Sequence, residues 1–159
     1  ASASDACDLD FCQGDVRNAA FADCANDALD VSGGDVTIHT MTVRGAGDKG
    51  LSAGEACRIR GQALAFYNTA IGIAGKDLSE VTLSDVSIIG GRLGVVAFRK
   101  KPEFSGATVS IHNIHIDSVE TPTMVEQGSV LSLDGTEAPA VFTNLADFIY
   151  GGADAEAAR

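Results

Sequence analysis

The sequence predicts an all-β fold, a parallel β-helix (solenoid) of about six coils with three short strands per coil. Three observations predict it. Leu29, Leu51, Ile73 and Val95 recur at a fixed interval of 22 residues. Each interval holds three stretches in which apolar and polar residues alternate, the pattern of a strand with one buried side. The joints between stretches are rich in Gly, Asp, Asn and Ser, which suit turns. An antiparallel sandwich has no reason to keep a constant period. A solenoid must, because stacked coils place equivalent residues in parallel ladders.

The elements follow in order. The first stretch of each unit contains LDV (29–31), LSA (51–53), IGIA (71–74) and LGVVA (93–97). The second is VTI (36–38), CRI (57–59), VTL (81–83) and VSI (109–111), and the third is MTV (41–43), LAF (64–66), VSI (86–88) and IHI (114–116). Upstream, Leu9, Val16 and Phe21 stand 20 residues before Leu29, Val36 and Met41, and LSL (131–133) stands 22 after VSI (109–111). With a strand spacing of ~4.8 Å, six coils give a body roughly 25–30 Å tall. AVFTNLADFIY (140–150) is expected to cap the last coil. Residues 1–150 are read as one β-helix domain with its caps, and 151–159, GGADAEAAR, as a loose tail.

Composition narrows function. The net charge of −11 opposes binding to a phosphate backbone, so no nucleic-acid partner is expected. A cation, a basic protein or a neutral polysaccharide remains compatible. No apolar run approaches the ~20 residues of a membrane span. The chain has no Trp and only two Tyr, few rings for stacking on sugars.

Taken together, NDALDVSGGDVTIHTMTVRGAGDKGLSAGE, IGIAGKDLSEVTLSDVSI and FRKKPEFSGATVSIHNI resemble the right-handed parallel β-helix superfamily of pectate-lyase-like proteins. More narrowly, they are similar to β-helix segments of secreted bacterial proteins, some joined to CotH-kinase-like modules. The resemblance covers roughly residues 5 to 135. It implies a right-handed coil, but the superfamily includes lyases, hydrolases, epimerases, adhesins and structural repeats. Its enzymes use clustered carboxylates, often with Ca²⁺, and a lysine or arginine. Here Asp27, Asp30, Asp48, Glu55 and Asp77 could supply acids and Lys76, Arg99 or Lys100 a cation. None of the family's catalytic motifs is intact.

The most distinctive local feature is FRKKPEF (98–104). Val81 to Val109 spans 28 residues, six more than the usual coil. The excess must bulge as a loop near Arg99–Gly106, and such loops often form binding faces. Arg99, Lys100, Lys101, Glu103 and Phe104 are therefore a candidate binding loop. The register also suggests a charged ladder of Asp30, Glu55, Lys76 and Asp77, whose carboxylates these cations would neutralise.

Other candidates read as structure. GDKG (47–50) is expected to be a turn in which Gly47 and Gly50 allow left-handed or tight backbone. Asp8, Asp10, Asp27 and Asp30 offer hard oxygens that calcium takes, but the nonapeptide of calcium-binding solenoids is absent; no cofactor is expected, and no metal ligand is assigned. His112 and His115 should face outward. Of the four cysteines, Cys57 is expected in the core, in the place of Val36 and Val81. Cys7 and Cys24 are the preferred disulfide, and Cys12 with either is the alternative. A bridge would pin the first coil and imply an oxidising compartment.

The expected function is a non-catalytic, extracytoplasmic β-helix, secreted, periplasmic or in the cell envelope. It would be a structural or binding module, or an accessory subunit meeting a protein or polysaccharide through the 99–106 loop or the coil ends. The alternative is a polysaccharide-active enzyme, a lyase or glycoside hydrolase, or a fragment of one.

Overall fold

A computed structural model describes residues 4–151 and shows a parallel β-solenoid of about six coils. The expected tail beyond Gly151 lies outside the described residues. The first coil is β1 (Cys7–Asp10), β2 (Gln13–Val16) and β3 (Ala19–Cys24). The second starts with β4 (Leu29–Ser32) and β5 (Asp35–Ile38). Then β6 (Met41–Gly54), β7 (Arg58–Lys76) and β8 (Glu80–Phe98) each run around a corner, ending one coil and opening the next. Strands β9 (Thr108–Asp117), β10 (Thr121–Val125), β11 (Val130–Leu133) and β12 (Thr136–Glu137) complete the stack, and helix α1 (Leu145–Tyr150) follows.

The ladders are parallel and in register. Leu29, Leu51, Ile73 and Val95 stack as the period demands. All four are completely buried. Alternation sends their neighbours Asp30, Ser52, Ala74 and Val96 to the outside of the same face.

The structure corrects two registers. In the first coil Cys7 pairs with Leu29, Val16 with Ile38 and Ala19 with Met41, so the 22-residue interval holds there too. A slip of two residues preserves which side chains face inward, so the alternation could not reveal it. In the third coil Ile59, not Cys57, takes the place of Val36 and Val81. Gly61 follows where Ile38 and Leu83 stand, because a Cβ there would sit 2.9 Å from a Leu83 methyl carbon. Cys57 is still fully buried, at the corner before β7, and burial pushes its thiol up to about 11.

GDKG is not a turn. It lies inside β6, where the register shifts between Ala46 and Lys49. Its glycines serve close approach: a Cβ on Gly47 would meet the Ala25 carbonyl oxygen at 2.2 Å, and one on Gly50 the Phe66 ring at 2.4 Å.

The end of the chain does more than cap. Ala138 and Ala140 pack on the main core at the last coil. Helix α1, however, lies on the outside of the first face, where Ile71, Ala74, Leu93, Val96, Phe98 and Met124 form a second apolar cluster around Leu145. Those outward positions are apolar only in the later coils. In the earlier coils the same columns are polar, and α1 ends where the change occurs.

Candidate functional site

The polar half of that face carries the site. One outward column runs from Asp27 to Lys49 to Ile71, and the next from Asp30 to Ser52 to Ala74. Asp27 and Lys49 are each only 3% exposed, an unusual place for opposite charges without a partner, and they are paired. The Asp27 Oδ1 accepts the Lys49 backbone N–H at 2.9 Å and its ammonium at 3.3 Å. Asp48 takes the same ammonium from the other side. Burial opposes the Lys49 charge, but Tyr150, Asp48 and Asp27 outweigh it and hold the amine above the usual lysine range. For Asp27 burial wins over the Lys49 attraction, and its carboxyl is raised.

Lys76 is the second buried cation. Its chain passes over Gly54, with Cε 3.5 Å from where a Cβ would stand. The ammonium reaches back to Asp30, Nζ to Oδ1 4.0 Å, too long for a hydrogen bond. Burial lowers its pKa, and Lys49 and Lys100 push it the same way. Two polar atoms beside it are buried without a hydrogen-bond partner: Asp30 Oδ1 and the hydroxyl of Ser52, a residue with no exposure at all. Tyr150, at the end of α1, closes one side. The Lys49 ammonium lies 5.2 Å and the Lys100 ammonium 4.8 Å from its ring centroid. Burial pushes its phenol up to about 12, although the residue as a whole stays 39% exposed.

The 99–106 segment forms the rim. Asp77 Oδ1 accepts the backbone N–H groups of Lys100 and Lys101, at 2.7 and 2.8 Å. The Lys101 ammonium pairs with Glu55, two coils below. Phe104 donates its N–H to the Lys101 carbonyl, closing the loop. Arg99, Lys100 and Glu103 are exposed. The four ladder residues thus divide into two groups, Asp30 with Lys76 on the strand face and Glu55 with Asp77 in the adjoining corner, and the loop bonds to the second.

Sequence reasoning named Asp27, Asp30, Asp48, Lys76 and Lys100, which the structure brings together. It missed Lys49, Ser52 and Tyr150. A signal existed for Lys49, which stands 22 residues after Asp27 and so shares its column.

The cysteines differ from expectation. Cys7, Cys12, Cys24 and Cys57 are all free thiols. Cys7 belongs to the Leu29 ladder and Cys24 to the Ala46 ladder, on different faces of the coil, so the proposed Cys7–Cys24 bridge does not form. His112 and His115 face outward as expected. For a divalent cation, carboxylate oxygens of Asp5, Asp27 and Asp30 lie within 4.8 Å of one another. These are the oxygens calcium takes, but the Lys49 ammonium already sits on Asp27, and Asp5 accepts from Asn26 and the Asp27 N–H.

Comparison of the chain with protein-family models, curated proteins and solved structures finds no match. The parallel solenoid therefore stands on its own geometry.

Proposed function

We propose that the protein is a non-catalytic, extracytoplasmic binding module built like the β-helices of pectate-lyase-like proteins. Its ligand is a saccharide chain of the envelope, held at the polar cluster beside α1. One observation carries this reading. Asp30 Oδ1 and the Ser52 hydroxyl are buried with no hydrogen-bond partner, and the lysine paired with Asp30 at 4.0 Å is poorly compensated. Such groups cost free energy unless something bonds to them. A sugar supplies hydroxyls that donate to the accessible part of the Asp30 carboxylate. Lys100 and the exposed side of Tyr150 offer an outer contact, and the 99–106 loop a rim. The same loop suits an accessory subunit docking to a larger assembly.

A second reading has its own support. A raised Asp27 and a lowered Lys76 on one face form an acid and a base that could act together, as in a polysaccharide-active enzyme. Electrophoresis through gels containing neutral or uronate-bearing polysaccharides separates the two, with reducing ends followed in parallel. Binding predicts retardation of the wild type without new reducing ends. It also predicts about tenfold weaker retardation for Lys100→Ser and Asp30→Asn, equivalent to about 1.4 kcal/mol. Product release would favour the enzyme, and a wild type that no polysaccharide retards would overturn both.

A further inference from the structure

Lys76 is an amine that the fold takes out of water and leaves without a hydrogen-bond acceptor among the described residues. Phe98, with no exposure, is its ladder partner in the coil above, and Gly54, in the coil below, leaves room for its stem. The side chain lies back across Gly54 toward Asp30, two coils below, and the residue is only 6% exposed. Its one ion-pair partner, Asp30 Oδ1, stands 4.0 Å away, beyond hydrogen-bond reach. Burial is the largest influence on the amine and lowers its pKa; Asp30 resists, and the charges of Lys49 and Lys100 act with the burial. A desolvated lysine beside other cations is the setting in which an amine becomes a nucleophile near neutral pH.

The chain has only three other lysines, and each is placed differently. Lys49 is as deeply buried, but it bonds to Asp27 and Asp48, and its amine is held up. Lys101 bonds to Glu55, which raises it. Lys100 is exposed and lies over the Tyr150 ring. Lys76 alone combines burial with the lack of an acceptor. The way to it lies on the Asp30 side. The Asp30 side chain is 20% exposed, and Lys100, in the same cluster, meets solvent.

We propose that Lys76 is a covalent capture site for an aldehyde. Its free amine adds to the carbonyl carbon and forms a C–N bond. The carbonyl oxygen then leaves as water with the two amine protons, and a C=N bond, an imine, remains. No oxidant or reductant is consumed, and water reverses the step. An unprotonated imine carries no charge, so capture also removes a buried charge that has no hydrogen bond. The inference does not rest on the saccharide reading, which concerns hydroxyls at Asp30 and not a carbonyl at Lys76.

The test treats the whole chain with propanal and cyanoborohydride at neutral pH, which reduces an imine to a stable secondary amine. Peptide mapping by mass spectrometry then gives a labelling rate for each of the four lysines. Lys76 should label at least about fivefold faster than Lys101, and Lys49 should be slowest. In concentrated urea the four rates should converge, because the preference belongs to the fold. Lys76→Met should remove the fast product and leave the other three rates unchanged. Labelling of Lys76 no faster than that of Lys101 would overturn the proposal, as would a preference that survives in urea. Either result would stand whether or not a polysaccharide retards the protein.

Discussion

Lys49 and Lys76 are both buried on the same face, yet their surroundings act on them in opposite directions. Lys49 has carboxylates on two sides, and its amine is held up; Lys76 has one carboxylate at 4.0 Å, and its amine is pulled down. Removing one member of a satisfied buried pair strands the other and costs roughly 3–5 kcal/mol, while replacing a poorly compensated buried charge can be neutral. Lys49→Met should therefore lose about 3 kcal/mol in urea unfolding at pH 7, and Lys76→Met should stay within about 1 kcal/mol of wild type. The pH dependence has a defined sign. Because the folded state depresses the Lys76 pKa, its penalty is present at neutral pH and is relieved as pH rises toward 10.5. Any advantage of Lys76→Met over wild type should shrink across that window. Equal losses for the two variants would show that the two environments do not differ as the geometry indicates.

At the scale of elements, α1 is only six residues long and would not be stable alone. It is held by Leu145, fully buried in the outer cluster, by the Asn144 side chain accepting the Asp147 N–H, and by the Leu145 N–H donating to Glu126 at 2.9 Å. Leu145→Asp should detach the helix, uncovering Phe98 and Leu93, at a cost of about 2–5 kcal/mol. The expected signature is fast amide exchange at 145–150 and dye binding to the bared face, with the ladder amides of β7 and β8 still protected. Global loss of protection would mean that the helix is integral to the solenoid. Part of this element was legible. IGIAGK and LGVVAF are apolar at both alternating positions, which marks strands covered on two sides. What covers them was not legible, since a six-residue apolar segment has no period that names its partner. Tyr150 was hidden for the same reason: its contact with Lys49 spans 101 positions in sequence and leaves no local pattern. The coil ladders were legible because a fixed period repeats the same evidence several times, whereas the Cys57 position was misread where Gly61 breaks the alternation.

On the scale of the whole molecule, stacked coils contact only their neighbours, so position along the axis should decide how much any core residue matters. One ladder permits a controlled comparison. Phe21, Val43, Phe66 and Ile88 stack in order on the third face. Phe66 has neighbours above and below and no exposure; Phe21 lies on the first coil, neighboured on one side among the described residues, and is half-buried. The same substitution at both should have different consequences. Phe66→Ala leaves a cavity closed on both sides and should cost about 3–5 kcal/mol, lowering the urea midpoint of the entire chain. Phe21→Ala opens toward solvent, which can fill the space. It should cost about 1 kcal/mol or less and act locally, speeding exchange at residues 7–24 while the amides of β7 and β8 keep wild-type protection. If the two variants shift the midpoint equally, the solenoid unfolds as one block from either end, and the first coil is as firmly held as the middle.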